Sequence, residues 1–198
     1  MDNGAAGSIN RGVKGQPSLK TERLLLRPLL VKDAISLREL ANSPKIADTC
    51  VWLPHPCSEG LAQSWIRGAA ERYAVGAGVE FGIQLEGGEE LLGVIGFDDR
   101  SVNNASAELG FLLDPRWWRK GYATEAADVV VWYGFKYLKL NRIYAHYRVS
   151  NPASGRVLAK LRMKQEGLMR QCVRKGRGFE DMVLMALLRE EWEQFCQE

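Results

Sequence analysis

Long apolar runs are missing from this sequence of 198 residues. The longest nearly uninterrupted apolar stretch, Met182–Leu188, is far shorter than the ~20 residues with which a helix crosses a bilayer, so no membrane span is expected. The amino terminus also lacks the apolar core of a secretory signal. Hydrophobic residues make up 46% of the chain and charged residues 26%. These fractions are ordinary for soluble globular proteins and exclude disordered, collagen-like and coiled-coil chains.

Cysteine and histidine are scarce, with four and two residues respectively. The cysteines, Cys50, Cys57, Cys172 and Cys196, form no CxxC pair, so we expect reduced thiols in a cytoplasmic protein rather than a disulfide framework. The two histidines have no metal-ligand spacing, and we expect no metal site.

A strong excess of one charge is also missing, because 27 Lys and Arg residues face 24 Asp and Glu residues. Within the first twenty residues Arg11, Lys14 and Lys20 outnumber Asp2, so the remaining chain is close to neutral. Nucleic-acid-binding proteins show a clear basic excess. We therefore expect neither a nucleic-acid nor a membrane partner.

The length suits one compact domain. Residues 1–18 are rich in Gly, Ser, Asn and Ala and are expected to form a flexible amino-terminal tail. Residues 19–198 contain no linker, repeat or low-complexity run and are expected to form a single domain.

Hydrophobic periodicity predicts a mixed α/β (α+β) fold with a mostly antiparallel sheet flanked by helices. The predicted strands are Leu24–Arg27, Val79–Leu85, Leu91–Phe97, Ala105–Leu113, Arg142–Val149, Lys164–Arg174 and Phe179–Leu188. The predicted helices are Asp33–Ala41, one capped by Ser58, Thr124–Leu138, and Pro152–Leu161 capped by Asn151. Gly87-Gly88 is expected to turn the chain between the second and third strands.

The segment Ala107–Ala126, AELGFLLDPRWWRKGYATEA, carries the clearest chemical signal. A strand leads through a basic turn into a helix whose first N–H groups lack partners, and such helix starts bind anions. Gly121 lets a phosphate approach the backbone, and Arg116, Arg119 and Lys120 add positive charge. The alternative is a surface turn with solvated cations. Neither the GxxxxGK[ST] nor the GxGxxG motif is present.

This turn resembles the pyrophosphate loop of the GNAT N-acetyltransferases. The opening LKTERLLLRPLLVKDA, the VWLPHPCSEGLAQSWI segment, the NPASGRVLAKL helix and the closing EDMVLMALLREEW resemble the RimJ/RimL-type branch, which acetylates protein α-amino groups. The resemblance covers Leu19 to Trp192. It implies an acetyl-CoA-dependent transferase whose sheet splays between the fourth and fifth strands.

The resemblance also assigns the cosubstrate contacts of acetyl-CoA. Backbone amides that hold the pyrophosphate would be those of Arg119, Lys120, Gly121, Tyr122, Ala123 and Thr124. The pantetheine arm would follow Phe111, Leu112 and Leu113, where a bulge and the splay open the sheet. Asn151 would contact the cofactor, or would serve only as a helix cap.

Two residues are candidates for acid–base catalysis. Glu108 shares a strand face with Leu112, and a family Glu on this strand often takes the proton of the amine. The alternative is a Glu at a strand edge that pairs with an Arg. Ser154 could donate a hydrogen bond to the leaving sulfur. Otherwise Ser154 is structural and water protonates the thiolate.

The chain departs from the family pattern at several positions. Leu158 stands where several members have a proton-donating Tyr, Trp118 stands where the loop motif usually opens with Gln or Arg, and Arg162-Met163 replaces a Gly-Phe pair. His55 and His146 either line the substrate cleft or are structural.

An α-amine is the preferred acceptor, since its pKa near 7.7–8.0 leaves more of it neutral than a lysine amine near 10.4. The leading hypothesis is acetylation of a protein or peptide N-terminus by a monomer or homodimer. The alternatives are a small amine, or a CoA-binding module that has lost catalysis. A wide groove flanked by Trp52, His55 and Trp65 would favour the first.

Overall fold

A computed structural model describes residues 8–10, 15–50 and 56–196, and the statements below concern those residues. For residues 8–10 it describes the backbone alone. Two predicted groove residues, Trp52 and His55, lie outside the described ranges.

Nine strands of the described chain form one sheet. They are β1 (Ser8–Asn10), β2 (Ser18–Lys20), β3 (Leu24–Pro28), β4 (Val79–Leu85), β5 (Gly93–Ser101), β6 (Ser106–Leu113), β7 (Arg142–Arg148), β8 (Lys164–Lys175) and β9 (Gly178–Leu188). Their order across the sheet is β1-β2-β3-β4-β5-β6-β7-β9-β8. Only the β6–β7 pair is parallel. The predicted mixed, mostly antiparallel fold is confirmed.

Six helices accompany the sheet in the described ranges. They are α1 (Ala34–Ala41), α2 (Pro44–Ala47), α3 (Glu59–Ala74), α4 (Tyr122–Lys136), α5 (Pro152–Lys160) and α6 (Arg189–Phe195). None of them is both long and apolar enough to cross a membrane. None of the four cysteines, all of which are described, forms a disulfide.

The helices cover both faces of the sheet. Neighbouring residues of β5 show the division, because their side chains point to opposite faces. Val94 packs in an apolar cluster with α1, α2 and α3, whereas Ile95 packs in the larger cluster that contains the buried residues of α4. The sheet is therefore the middle of three layers.

Local sequence signals set several boundaries as predicted. The Ser58 hydroxyl accepts the N–H of Leu61 at 3.2 Å and caps α3. The Asn151 side chain caps α5 in the same way. Gly87 adopts a φ of +73°, a conformation that glycine takes without a Cβ penalty, in the turn between β4 and β5.

The sheet opens between β6 and β7. These strands pair only at Ser106↔Arg142, Ala107↔Ile143 and Glu108↔Tyr144, after which the structure gives them no common register. The splay predicted between the fourth and fifth predicted strands is confirmed, since those strands are β6 and β7 here.

The expected bulge at Phe111–Leu113 is wrong. β5 and β6 keep a regular register from Gly93↔Leu113 to Asp98↔Glu108, and the register shift lies farther along, between Asp98 and Ser101. Divergence of β7 alone opens the sheet, so β6 needs no irregularity at that point.

The boundary predicted at residue 18 lies inside strand β2. Ser8–Asn10 pairs with Ser18–Lys20, Pro17 is buried, and the Gln16 side chain donates to the backbone oxygen of Glu80 at 2.6 Å. An edge strand is held by backbone hydrogen bonds and needs few large apolar side chains. The described residues of this segment thus extend the edge of the sheet, and the predicted division between a flexible tail and the domain stays a prediction.

Glu80 on β4 is a carboxylate inside the layer between sheet and α3. The Trp65 indole donates to both of its oxygens at 2.9 Å, and Arg72 Nη2 lies 3.0 Å from Oε2. Burial is the largest influence and raises the pKa of Glu80 to about 7, although the bonds from Trp65 and Arg72 oppose it. The folded state therefore holds a proton on Glu80 at pH values where an unfolded chain has released it.

This linkage predicts a pH-dependent stability. Because the folded pKa lies above the unfolded value, the contribution of Glu80 is full below about pH 4.5 and is lost as pH rises through about 7. In Glu80→Gln the free energy of unfolding should lack this decline, which we expect to be on the order of 1–3 kcal/mol. Urea denaturation at pH 5, 6, 7 and 8 measures the difference.

The exposed carboxylate of Glu39 provides the control. Glu39→Gln should reproduce the pH slope of the unmodified protein. A constant offset between Glu80→Gln and the unmodified protein, with equal slopes, would show that Glu80 is ionised in both states.

Candidate active site

A cavity of about 570 Å³ lies where β6 and β7 part. Its walls come from β6, the turn before α4, β7 and the first turns of α5. All predicted site residues except Lys120 line it, namely Glu108, Phe111, Leu112, Leu113, Arg119, Gly121, Tyr122, Ala123, Thr124, Asn151 and Ser154. The fold thus brings together positions that are far apart in the sequence.

The turn before α4 leaves a row of backbone donors. Asp114 caps a short 3-10 turn at Pro115–Trp117 by accepting the N–H of Arg116. The Trp118 indole donates to the oxygen of Leu113 at 2.6 Å. Within the described ranges, no acceptor is found for the backbone N–H groups of residues 119–124. The first bond of α4 runs from the N–H of Glu125.

Two left-handed residues shape this row. Arg119 has φ +61° and Gly121 has φ +84°. A Cβ on Gly121 would lie 3.3 Å from Arg23 Nη2. Adjacent N–H groups in such a turn at a helix start form a concave anion-binding surface. The anion site inferred from sequence therefore has the backbone geometry that it needs.

Arg23, a residue that the sequence did not single out, holds this turn. Its Nε donates to Glu125 at 2.7 Å, its Nη1 donates to the backbone oxygen of Lys120 at 3.1 Å, and its guanidinium lies 4.7 Å from the Tyr122 ring centroid. Burial opposes ionisation of Glu125, but bonds from Thr21 and Arg23 outweigh it and hold the pKa of Glu125 below its ordinary value. The segment Thr21–Arg23, directly before the first predicted strand, was the only indication in the sequence of this role of Arg23.

The three predicted cations have different environments. Arg116 pairs with Asp114 and Glu90, both at 2.8 Å, so its charge is already neutralised and it lies outside the cavity lining. Lys120 lies over the Trp117 ring at 4.3 Å. Arg119 lines the cavity. A contribution of Arg116 and Lys120 to an anion site therefore stays a prediction.

Glu108 and His146 meet at the other end of the cavity. Their strands pair at Glu108↔Tyr144, and Glu108 Oε1 lies 2.8 Å from His146 Nδ1. The side chains keep 36% and 20% of their surface exposed. The alternative of a Glu paired with an Arg is not what forms, because the partner is a histidine.

The first turns of α5 close the cavity beside the strands. Asn151 Oδ1 accepts the N–H of Ser154 at 3.3 Å, so its cap is formed while the residue also lines the cavity. Ser154 lines the cavity too. Leu158, at the position of the family Tyr, is fully buried in the core and does not line the site.

Other departures also have structural outcomes. Arg162 adopts φ +63°, the conformation that a glycine takes readily, and its guanidinium lies 4.2 Å from the Phe195 ring centroid. Met163 fills the core as predicted. Trp65, expected to flank the groove, instead donates to Glu80 and does not line the cavity.

Sequence reasoning missed Arg148 on β7. It lies on the same strand face as His146, lines the cavity and is almost fully buried. Its Nε donates to Glu180 at 2.7 Å and its Nη1 to the backbone oxygen of Asp48 at 2.6 Å. The hydrogen bond from Arg148 is the main cause that lowers the pKa of Glu180 to about 2. Its place two residues after His146 on the same predicted strand was the only indication in the sequence that Arg148 lies at the site.

Comparison with known proteins identifies the family. The family model of the acetyltransferase (GNAT) domain matches residues 23–164. The chain belongs to the GNAT acetyltransferases. The uncharacterised N-acetyltransferase YoaA of Bacillus subtilis strain 168 is 35% identical over 155 residues, which cover 78% of this chain and 87% of YoaA. The [ribosomal protein uS5]-alanine N-acetyltransferase of Escherichia coli strain K12 is 28% identical, covering 62% of this chain and 63% of that protein.

Solved structures agree with this GNAT assignment. A GNAT-family acetyltransferase from Bacillus anthracis is similar with a TM-score of 0.77 at 29% identity, covering 88% of this chain and 99% of that chain. Spermidine N-acetyltransferase from Vibrio cholerae in complex with CoA and spermine has a TM-score of 0.76 at 22% identity, covering 86% and 98%. The latter likeness shows the fold alone. As a GNAT N-acetyltransferase, the protein uses acetyl-CoA as cosubstrate.

The turn predicts a test of cosubstrate binding. Gly121→Ala places a Cβ on a left-handed residue, which we expect to turn the neighbouring N–H groups away from their common direction. Affinity for CoA, measured by isothermal titration calorimetry, should fall by about tenfold or more, equivalent to ~1.4 kcal/mol.

Gly87→Ala is the matched control. Gly87 lies in the β4–β5 turn, outside the cavity lining, and has nearly the same φ as Gly121. No atom lies within 4 Å of the place that an added Cβ would take. This variant should lose similar folding stability and keep full CoA affinity. Equal affinities of both variants for CoA would contradict the role of residues 119–124.

Proposed function

We propose that the protein acetylates the α-amine of a protein or peptide N-terminus, as a RimJ/RimL-type enzyme of the GNAT family. The observation that carries this proposal is the scarcity of carboxylates in the cavity. Its described lining contains a single carboxylate, Glu108, against Arg119, Arg148, Arg156 and Lys160. Residues 51–55, which lie outside the described ranges, contain no Asp or Glu.

The single carboxylate of the described lining disfavours a polycationic acceptor. A polyamine with several ammonium groups needs several carboxylates to replace its hydration. Glu108 is already bonded to His146. An acceptor with one amine and a neutral peptide backbone has no such requirement and fits the cavity better.

The chemistry of the amine favours the same acceptor. An α-amine has an ordinary pKa of about 7.7–8.0, so a sizeable fraction is neutral and nucleophilic near neutral pH, whereas a lysine amine at about 10.4 is almost fully protonated. The E. coli relative is named for alanine of a ribosomal protein. Both points support an N-terminal acceptor.

The chain's own residues would bind the cosubstrate in three places. The N–H groups of residues 119–124 would hold the pyrophosphate at the start of α4. Arg156 and Lys160 line the cavity from α5 and would face the phosphate of CoA that is not part of the pyrophosphate. Phe111–Leu113 would bond the pantetheine arm through the strand edge that β7 leaves unpaired. Bound acetyl-CoA supplies the thioester whose acetyl group is transferred.

Ser154 and Asn151 would act at the reacting end. Both line the cavity from the start of α5. The Ser154 hydroxyl would donate a hydrogen bond to the sulfur as the C–S bond breaks, and the Asn151 amide would bond the pantetheine arm. We further infer a cytoplasmic enzyme that acts as a monomer or homodimer.

A panel of acceptors tests the proposal. Three substrates are compared at pH 7.5 with labelled acetyl-CoA: a peptide with a free N-terminal alanine and no lysine, the same peptide with a blocked N-terminus and one lysine, and spermidine. We expect kcat/KM to be at least about a hundredfold higher for the free N-terminus than for the lysine peptide, in line with the neutral fractions of the amines.

Preferential acetylation of spermidine would overturn the N-terminal assignment. Acetylation of free alanine but not of the peptide would point instead to a small amino acid as acceptor. Mass spectrometry of the peptide product locates the acetyl group and separates α-amine from side-chain modification.

A further inference from the structure

The pair Glu108–His146 has a defined hydrogen-bond direction. An ionised carboxylate can only accept, so the bond of 2.8 Å between Glu108 Oε1 and His146 Nδ1 requires the hydrogen on Nδ1. In a neutral imidazole the other nitrogen, Nε2, then carries no hydrogen and is a proton acceptor. Within the described chain no partner is found for Nε2.

The imidazole also borders the cavity in which the reaction would take place. His146 follows the last paired residue of β7 by two positions, at the point where β6 and β7 separate, and it lines the cavity. Glu108 is partly exposed but is turned toward the ring. A base must reach the proton that it removes before its basicity matters.

We propose that His146 Nε2 accepts the proton of the acceptor amine and that Glu108 is a positioning residue that fixes the tautomer of His146. This inference rests on the proposed acetyl transfer and assigns its base.

Acetyl transfer forms one C–N bond and breaks one C–S bond. The lone pair of the neutral amine forms the C–N bond to the thioester carbonyl carbon, and one proton passes from that nitrogen to His146 Nε2. The C–S bond breaks with its electron pair on sulfur, which then takes a proton from solvent or through the Ser154 hydroxyl. The imidazolium returns its proton to solvent, and the products are an amide and a free thiol.

The titratable groups near the ring are bonded to partners of their own. Tyr144, two residues earlier on the same face of β7, lies with its ring centroid 5.7 Å from that of His146. Burial and its bond to Asp99 on β5 raise the pKa of Tyr144, so the phenol stays uncharged. Arg148 is bonded to Glu180 of β9 and to the backbone oxygen of Asp48. Glu108 is therefore the only charged group of the described chain in direct contact with the imidazole.

Nuclear magnetic resonance of ¹⁵N-labelled histidine tests the pair without turnover. The chain has two histidines, and His146→Gln assigns their signals. We expect neutral His146 to carry its hydrogen on Nδ1 in the unmodified protein and to lose this preference in Glu108→Gln. A hydrogen found on Nε2 would overturn the proposal, whichever amine is the substrate.

Steady-state kinetics with the N-terminal peptide tests the role of His146. His146→Gln should lower kcat by about 10²–10⁴-fold, with the KM for acetyl-CoA within about twofold. Glu108→Gln should reduce kcat less than His146→Gln does, because the imidazole is still present and loses only the bond that fixes its tautomer. Added imidazole should restore part of the activity of His146→Ala.

Tyr144→Phe is the matched control, since it changes a neighbouring aromatic residue on the same strand face and should leave kcat close to that of the unmodified enzyme. If Glu108→Gln lowers kcat more than His146→Gln does, and imidazole fails to restore His146→Ala, Glu108 is the base and the proposal is wrong. If the unmodified enzyme acetylates no α-amine, the proposed function fails. The tautomer measurement then still decides whether Glu108 fixes the tautomer of His146.

Discussion

The parting of β6 and β7 after three residue pairs is the constraint on which the site depends. Backbone groups in a sheet are normally satisfied by both neighbouring strands. Where β7 turns away, one edge of β6 keeps free donors and acceptors within an otherwise closed core. The same divergence makes room for the cavity and leaves Glu108 and His146 at its apex. The strand edge that would bind the pantetheine arm and the groups that would react therefore both result from this divergence.

The two ends of this cavity differ in charge. The end formed by the start of α4 offers backbone N–H groups and cations, which suits the phosphates of CoA. The opposite end has one carboxylate, paired with a histidine, and a buried arginine whose charge Glu180 balances. A negative cosubstrate and a nearly neutral acceptor would thus occupy different electrostatic environments in one continuous space.

The order of elements could be predicted because periodicity and capping residues are local signals. The splay followed instead from the resemblance of the turn and its flanking segments to a known family. Glu108 was found on its strand, but its partner was not, because the pairing of His146 with it depends on the register of two strands whose residues lie 38 positions apart. Sequence also does not show that Arg116 is paired with Asp114 and Glu90. The strands β1 and β2 carry too few apolar side chains for periodicity to reveal them.

Arg23 joins the turn before α4 to the β2–β3 segment across 102 positions of sequence. Contacts of such separation require closure of a long loop, which costs conformational entropy. A chain in which the β2–β3 segment has detached would lose the contacts of Arg23 that hold the turn, even with α4 still helical. Competence to bind CoA would thus depend on the tertiary structure as a whole, so ligand binding would stabilise the whole fold rather than one local element.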